Sequence, residues 1–271
     1  MTDFLATMAA SSRARAEALP ANVPSDALDR PVLPLRLSGF DLIAEVKDHS
    51  PAEGQLAAAG ADRSARARAY AAGGAAAISV LTEPDRFAGN IEHAKQVIAA
   101  VEDYAVPVMR KDFLTDVRQV VEARAAGASG VLLIAAILDD ALLQSMLDCA
   151  LEHSMFVLLE AFDADDLARC AAQVAGTYSQ AATDGRLLVG VNTRNLRTLE
   201  VDPDRLARLA GDLPAGAIAV AESGLKAPGD AARVAGLGYR MGLVGTALMK
   251  SADPGELVTA MLAAGRKAAS A

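Results

Sequence analysis

Ionisable side chains stand at the ends of several short apolar runs in this sequence, where they could exchange protons with a bound molecule. Glu45 and Lys47 close the first run. Lys111 follows the third run, and Glu160 ends the fifth. Ammonium and carboxylate groups can move protons to and from a reacting molecule when they face one cavity. The sequence therefore indicates an acid–base site, provided that the fold brings these run ends together.

The later runs also end in polar residues or in glycine. Glycine amides and hydroxyl groups after the last two runs are suited to a phosphate group, because backbone N–H groups in such loops can point at an anion. A serine after the first run could supply a further hydroxyl. These additional candidates are Ser50, Asn192, Arg194, Glu222, Ser223, Gly224, Gly245 and Thr246.

The apolar runs predict eight parallel strands. They are nearly continuous rather than alternating, which is typical of strands buried on both faces, and a helical segment follows each one. The predicted strands are Asp41–Lys47, Ala76–Leu81, Val106–Arg110, Gly130–Ile134, Met155–Glu160, Leu187–Asn192, Ala217–Glu222 and Gly242–Val244. The predicted helices are Ser64–Ala72, Ile91–Val101, Asp116–Ala126, Asp139–Glu152, Asp163–Val174, Asp202–Leu209, Pro228–Leu237 and Pro254–Lys267.

Eight strand–helix units predict the α/β class and a single (β/α)8 TIM barrel, with one extra N-terminal helix over Asp3–Ala18. We assign residues 1–40 to this helix and a connecting arm, and residues 41–271 to the barrel. Any one charged residue at a strand end could be an ordinary loop residue. Glu45 and Lys47 are different, because they flank Val46 at a spacing of two and therefore share one side of a strand. Charges inside a barrel are costly unless they are paired or used.

Composition excludes several classes of function. Of the 271 residues, 52% are hydrophobic and the formal net charge is −8, so a globular protein with a packed core is expected and a nucleic-acid partner is not. Cys149 and Cys170 fall in predicted helices, and the three histidines are scattered, so neither a disulfide nor a metal site is expected. The longest apolar run, Gly130–Leu138, is too short for a membrane helix. With no signal peptide at the N-terminus, a cytoplasmic protein is expected.

Motifs spread along the chain resemble one known family. From Leu42 almost to the C-terminus, the order and spacing of these motifs is similar to the indole-3-glycerol-phosphate synthase family, with RKDF and the VNTRNL stretch as the most diagnostic. The matching stretches are Ile43–Pro51, Ser79–Asn90, Pro107–Phe113, Gly130–Leu138, Leu158–Glu160, Val189–Leu196, Glu222–Leu225 and Leu243–Met249.

The resemblance implies a carboxy-lyase of tryptophan biosynthesis that needs no cofactor. Its substrate would be a small sugar phosphate, 1-(o-carboxyphenylamino)-1-deoxyribulose 5-phosphate. The aryl carbon attacks the C2 carbonyl, carbon dioxide leaves, and loss of water gives indole-3-glycerol phosphate. A monomer or weak homo-oligomer is expected.

The resemblance also implies roles for individual residues. Lys111 occupies the general-acid position and Glu160 a position for proton transfer during dehydration. Lys47 would meet the substrate carboxylate. Which of these three acts at each proton transfer stays open. Further catalytic positions are Glu45, Asn192 and Glu222; ligand-anchoring positions, mostly for phosphate, are Ser50, Arg194, Ser223, Gly224, Gly245 and Thr246; aromatic walls around the anthranilate ring are Phe87 and Phe113.

Three loop positions depart from the family pattern and keep alternatives open. Glu53 stands where the first loop usually has a lysine, Phe162 where a histidine is common, and Thr193 where a second asparagine is usual. These changes leave room for a paralogue that acts on a related phosphate-bearing substrate. A catalytically silent binding subunit is another alternative, and it predicts loss of a catalytic lysine or glutamate. The neighbouring isomerase of the same pathway predicts an Asp–Cys pair at strand ends, which the helical cysteines disfavour.

Overall fold

The strands of this protein close into one barrel. The structure is a computed structural model and describes residues 3–20, 23–56, 62–196 and 198–270. Within those ranges, eight parallel strands each pair with the next along the chain, and the last pairs with the first. The predicted (β/α)8 barrel of the α/β class is thereby confirmed. The strands are β1 Asp41–Val46, β2 Ala77–Leu81, β3 Val108–Lys111, β4 Gly130–Ile134, β5 Phe156–Ala161, β6 Leu187–Asn192, β7 Ile218–Glu222 and β8 Met241–Val244.

Helices surround the barrel and connect its strands. Six of them follow an N-cap aspartate whose side chain accepts a hydrogen bond from a backbone N–H of the first turn: Asp3, Asp62, Asp116, Asp139, Asp163 and Asp253. The helices are α1 Phe4–Glu17, α2 Arg63–Ala72, α3 Pro84–Phe87, α4 Ile91–Ala100, α5 Val117–Ala125, α6 Asp140–Glu152, α7 Ala164–Ala175, α8 Ser179–Thr183, α9 Arg205–Arg208, α10 Pro228–Gly236, α11 Thr246–Lys250 and α12 Pro254–Ala269.

One helix is shorter than predicted. The segment Asp202–Leu209 was expected to be helical throughout, but α9 spans only Arg205–Arg208. Asp202 does not cap it; its carboxylate accepts hydrogen bonds from the backbone of Asp204 and from the Arg208 guanidinium instead. A side chain that bonds to nearby backbone and side-chain groups in this way competes with helix formation.

Alternate residues of each strand point into the barrel and out toward the helices. On β1, Leu42 and Ala44 pack in the outer apolar cluster beneath the helices, whereas Ile43 lies in the inner one. Met109 of β3 and Leu158 of β5 also belong to the inner cluster. The inner cluster is an apolar layer, and the next inward-facing position of each strand, toward its carboxyl end, lies above that layer.

The extra helix α1 packs against the end of the barrel at which the strands have their carboxyl ends. Phe4, Leu5 and Met8 are buried in the inner cluster. Arg15 donates two hydrogen bonds, of 2.9 and 2.8 Å, to the buried carboxylate of Asp112, which follows β3. The helix therefore covers part of the mouth of the barrel. Residues 1, 2, 21 and 22 of the predicted arm lie outside the described residues.

The two cysteines lie in helices, as the sequence predicted. Cys149 lies in α6 and Cys170 in α7, both as buried free thiols. Neither residue borders the mouth of the barrel, which removes the thiol that the isomerase alternative requires. No helix within the described ranges has the length and apolar character needed to cross a membrane.

The packing of α12 on the barrel generates a stability prediction. A methyl group added at Gly265 would overlap the buried ring of Phe40, whereas one added at Gly236 of α10 meets nothing within 4 Å. Both glycines are helical, so alanine should improve helix propensity at each. We expect Gly265→Ala to lower the free energy of unfolding by about 1–3 kcal/mol, and Gly236→Ala to raise it by up to about 1 kcal/mol.

Urea unfolding of the two variants against wild type measures both effects. Equal stabilisation by the two substitutions would contradict the close contact between α12 and Phe40.

Candidate active site

A cavity of about 790 Å³ opens at the carboxyl ends of the strands. With the exception of Glu160, every residue predicted for the site borders it. Those bordering residues are Glu45 and Lys47 at the end of β1, Ser50 in the following hairpin, Phe87 in α3, Lys111 and Phe113 at and after β3, Asn192 and Arg194 at and after β6, Glu222, Ser223 and Gly224 at and after β7, and Gly245 and Thr246 after β8.

The ionisable residues at the base of the cavity form a connected cluster. The ammonium group of Lys47 lies 2.7 Å from Glu45 Oε1, so the two side chains share one side of the chain as their spacing predicted. Lys111 Nζ lies 3.4 Å from Glu160 Oε2. Glu160 is fully buried behind this lysine, and its other oxygen accepts a 2.9 Å hydrogen bond from the Asn192 amide. Glu160 therefore reaches the cavity through Lys111 and Asn192.

The carboxylates keep Lys111 protonated. Burial alone would lower the pKa of this lysine, but the negative charges of Glu160, Glu222 and Glu45 outweigh burial and raise the pKa above its ordinary value. Glu45 responds in the opposite sense. Burial would raise its pKa, but the positive charges of Lys47 and Lys111 hold that pKa below its ordinary value. An ammonium donor and an ionised carboxylate thus coexist on the cavity floor.

Glu222 is the carboxyl group of the cluster whose pKa is raised. Its side chain is buried beside that of Glu160. Burial, together with the neighbouring charge of Glu160, raises the pKa of Glu222 well above its ordinary value, against a lowering effect of Lys111. Gly190 makes room for this group, because a methyl group there would overlap Glu222 Oε1.

The loop after β6 holds Asn192 in one orientation. The Asn192 amide donates to Glu160, and its Oδ1 accepts a 2.9 Å hydrogen bond from the backbone N–H of Arg194. The Arg194 guanidinium donates to the carbonyl of Leu199 at 3.1 Å, which keeps the arginine folded over its own loop at the cavity edge. With both ends of the amide occupied, Asn192 links the acid–base cluster to this loop.

Two turns supply the part of the cavity that the sequence assigned to phosphate. Ser223 and Gly224 both have positive φ, 66° and 79°, so the chain bends sharply as it leaves β7. Gly245 lies directly on the Glu45–Lys47 pair, with an added methyl carbon only 2.9 Å from Lys47 Nζ. A side chain at position 245 would therefore disturb the cluster. Phosphate binding by these residues stays a prediction.

An apolar wall stands beside the polar cluster. The rings of Phe87 and Phe113 lie with their centroids 6.1 Å apart at an angle of 38°, and both border the cavity. Phe113 is held from behind by an edge contact with Phe4 of α1. Leu132 and Ile134 of β4 continue the wall. A flat aromatic group could lie here without displacing a charged side chain.

Sequence reasoning missed cations at the outer edge of the cavity. Lys226, Arg233 and Lys250 border it, and Lys250 forms an ion pair of 2.5 Å with Glu53. They lie in helices and loops, where lysine and arginine are common, so no local pattern distinguishes them. Gly190 was also missed, although a glycine inside a buried strand signals a close approach by another group.

The site is equipped for proton transfer. Its groups are ammonium, carboxyl and amide side chains with an apolar surface beside them. Within the described ranges, no three side chains of His, Cys, Asp or Glu are grouped so that they could hold a metal ion.

The fold and this cluster define a (β/α)8 barrel with acidic and basic side chains grouped at the carboxyl ends of its strands. A family model described as Indole-3-glycerol phosphate synthase matches residues 32–261. The chain belongs to the indole-3-glycerol phosphate synthase family, and this membership places it among the lyases of tryptophan synthesis.

Curated relatives support that assignment. An indole-3-glycerol phosphate synthase of Nocardioides sp. is 46% identical over 224 residues, which cover 83% of this chain and 80% of the relative. One of Mycobacterium leprae is 42% identical over 254 residues, 94% of this chain and 86% of the relative.

Among solved structures, 3-hexulose-6-phosphate synthase from Salmonella typhimurium matches with a TM-score of 0.62 at 18% identity. The match covers 84% of this chain and all of that one. Thiamine phosphate pyrophosphorylase from Pyrococcus furiosus matches at 0.58 and 15%, covering 84% and 96%. At these identities the two structures show the fold alone.

The buried Glu222 carboxyl leads to a prediction about stability and pH. Because its pKa is higher in the folded chain than in the unfolded chain, its contribution to stability is complete below the ordinary carboxyl pKa and is lost as pH rises through the raised value. Glu222→Gln removes this pH-dependent loss of stability, because glutamine cannot ionise. We therefore expect the variant to gain stability relative to wild type as the pH rises from mildly acidic to mildly alkaline.

Urea unfolding across that pH range measures the difference between the two proteins. Glu92→Gln, which removes an exposed carboxylate on α4, is the control and should not reproduce the trend. A difference between Glu222→Gln and wild type that does not change with pH would contradict the raised pKa of Glu222.

Proposed function

We propose that the chain converts 1-(o-carboxyphenylamino)-1-deoxyribulose 5-phosphate into indole-3-glycerol phosphate, carbon dioxide and water, as a carboxy-lyase. The main support is the position of Lys111, whose ammonium group borders the cavity while the carboxyl groups of Glu45, Glu160 and Glu222 surround it. This arrangement suits ring closure onto a ketone, which needs a protonated donor beside the reacting oxygen.

Lys111 acts as the general acid in ring closure. The aryl carbon that bears the carboxylate attacks the C2 carbonyl, and the carbonyl oxygen gains negative charge as the new carbon–carbon bond forms. Lys111 gives a proton to that oxygen. Its raised pKa keeps the ammonium form populated until an alkoxide, which is far more basic than an amine, develops.

Lys47 binds the substrate carboxylate until decarboxylation. Its ammonium group is held at the cavity floor by Glu45. When carbon dioxide leaves, the electrons of the broken bond restore the aromatic ring. The ion pair with Glu45 then leaves Lys47 with a partner after the carboxylate is gone, so departure of carbon dioxide strands no buried charge.

Dehydration uses the remaining members of the cluster. The new hydroxyl group leaves as water with a proton from an acid, and the adjacent carbon loses a proton to a base. Glu160 exchanges a proton with Lys111, from which it lies 3.4 Å. Glu222 has its carboxyl at the cavity, where it can hydrogen-bond the substrate hydroxyls. Asn192 holds Glu160 in place throughout.

The two ends of the substrate are held apart. The phosphate group lies against the turns of Ser223–Gly224 and Gly245–Thr246, with Ser50 and Arg194 nearby. The anthranilate ring lies against Phe87 and Phe113, whose rings form the apolar wall of the cavity. Fixing both ends brings the aryl carbon and the ketone together for a unimolecular reaction.

A fluorescence assay for indole-3-glycerol phosphate, with the proposed substrate and no added metal or cofactor, tests the activity directly. Turnover of about 1 s⁻¹ or more is the expected result. Absence of turnover with tight phosphate binding retained would instead favour a paralogue with a related substrate, and Glu53 and Phe162 would then be the first residues to revert to the family pattern.

The role of Lys111 predicts the effect of removing its charge. Lys111→Met should lower kcat by about 10²–10⁴, the usual scale for loss of a general acid, and should leave the fold intact. Lys95→Met, which removes an exposed lysine of α4, is the matched control and should retain wild-type turnover. A value of kcat for Lys111→Met near that of wild type would refute the assignment.

Arg194 should affect binding more than turnover. Its guanidinium lies at the cavity edge, where it donates to the carbonyl of Leu199, and we assign it to binding one substrate group before and during the reaction. We expect Arg194→Ala to raise KM about tenfold or more with a small change in kcat. Steady-state kinetics separate the two constants. A fall in kcat at unchanged KM would instead assign Arg194 to the chemical steps.

A further inference from the structure

Glu53 borders the cavity at its solvent-exposed outer end. Glu53 follows β1 in the hairpin formed by His49–Ser50 and Gly54–Gln55, and it borders the same cavity as Thr246 and Lys250. Its Oε2 lies 2.5 Å from Lys250 Nζ. This contact joins the first loop of the barrel to the helix that follows the last strand.

Thr246 and Lys250 occupy one face of α11. They are the first and last residues of that helix and are four positions apart, so their side chains lie one above the other. A hydrogen bond from Lys250 lowers the pKa of Glu53, burial opposes this, and the charge of Lys250 together with Thr246 and Lys47 lowers it further. The surroundings of the Glu53 carboxylate are therefore those of an anion site, with an ammonium group, a hydroxyl and a second, more distant cation.

These donors belong to the part of the cavity assigned to phosphate. Thr246 follows Gly245 in the turn after β8, and Lys250 is a cation on the same short helix. A phosphate dianion placed there would seek the groups that Glu53 already engages. Two anions cannot share these donors at close range without repulsion, so one must move.

We propose that Glu53 is a built-in competitor for the phosphate group, an internal carboxylate that occupies Lys250 and Thr246 in the free enzyme and is displaced when the substrate phosphate binds. This inference rests on the proposed function for the identity of the substrate, but not for the presence of an anion site. Glu53 thereby sets the affinity of the enzyme for phosphate-bearing ligands and takes no part in proton transfer.

The exposure of the pair makes displacement feasible. The Glu53 side chain is 33% exposed and the Lys250 side chain 57% exposed. An ion pair in contact with water is weak, so a dianion can replace a single carboxylate at low cost. The hairpin that carries Glu53 can move without breaking any strand of the barrel, because within the described part of the chain its two short strands pair only with each other.

Binding of inorganic phosphate to the full chain tests the inference without reference to catalysis. Isothermal titration should give a Kd for Glu53→Gln about two- to tenfold lower than for wild type at low ionic strength. The gain should shrink as salt is added, because these charges are partly exposed. Glu92→Gln, which removes a carboxylate from an exposed lysine pair outside the cavity, is the matched control and should leave Kd unchanged.

A double-mutant cycle with Lys250→Met distinguishes competition from a general change of charge. If Glu53 occupies Lys250 in the free enzyme, loss of Lys250 should weaken phosphate binding more in the Glu53→Gln background than in the wild-type background. Equal losses in the two backgrounds would mean that Glu53 acts only through its long-range charge, and would overturn the competition.

The kinetic counterpart uses the proposed substrate. Glu53→Gln should lower KM by the same factor as the phosphate Kd and leave kcat unchanged, since the competition concerns binding alone. Weaker phosphate binding by Glu53→Gln would show that the ion pair holds the loop in its binding form and would refute the proposal. Unaltered phosphate affinity in Glu53→Gln would also refute the proposal, even if the enzyme forms indole-3-glycerol phosphate. Tighter phosphate binding by Glu53→Gln without turnover of the proposed substrate would refute only the identity of that substrate.

Discussion

The ammonium group of Lys111 lies among the carboxyl groups of Glu45, Glu160 and Glu222, with Lys47 as the second cation of the cluster. Three carboxyl groups thus face two ammonium groups in a buried cluster, where an unbalanced charge is costly. The raised pKa of Glu222 favours its neutral form and so reduces this imbalance. In the same cluster the pKa of Lys111 is raised and the pKa of Glu45 is lowered. The cluster therefore separates donors from acceptors before any ligand binds.

The barrel provides the geometry that this cluster requires. Because side chains alternate along a strand, one register places Ile43 in the apolar layer and Glu45 above it. Strand pairing then fixes neighbours, as when Asn192 of β6 stands beside Glu222 of β7. The close spacing is possible only where a side chain is missing. Gly190 admits Glu222, and Gly245 admits the Glu45–Lys47 pair. The layer of charged side chains is therefore built on regular strands, with glycine at the two positions where a side chain would collide with it.

Sequence reasoning succeeded where the strand pattern itself carries the information. A period of two predicted that Glu45 and Lys47 share a side, and strand ends predicted which residues border the cavity. It could not predict that Glu160 lies behind Lys111, because the distance of a side chain from the cavity surface depends on how the strands tilt. It also overextended the helix after β6, since the Asp202 side chain engages the Asp204 backbone and Arg208 instead of capping a helix. The pair between Glu53 and Lys250 joins distant loops, which no local pattern reports. The residue roles in catalysis and phosphate binding remain predictions.

The pairing of β1 with β8 has a consequence for how the protein is made. Every other strand pairs with its neighbours in the chain, but Glu45 and Lys47 meet Gly245 only after almost the whole barrel has been synthesised. Contacts of such large sequence separation form slowly, because a long loop must close first. A nascent chain on the ribosome can therefore fold much of its α/β structure while it still lacks a competent site. Activity should arise in one late step, when the ring closes.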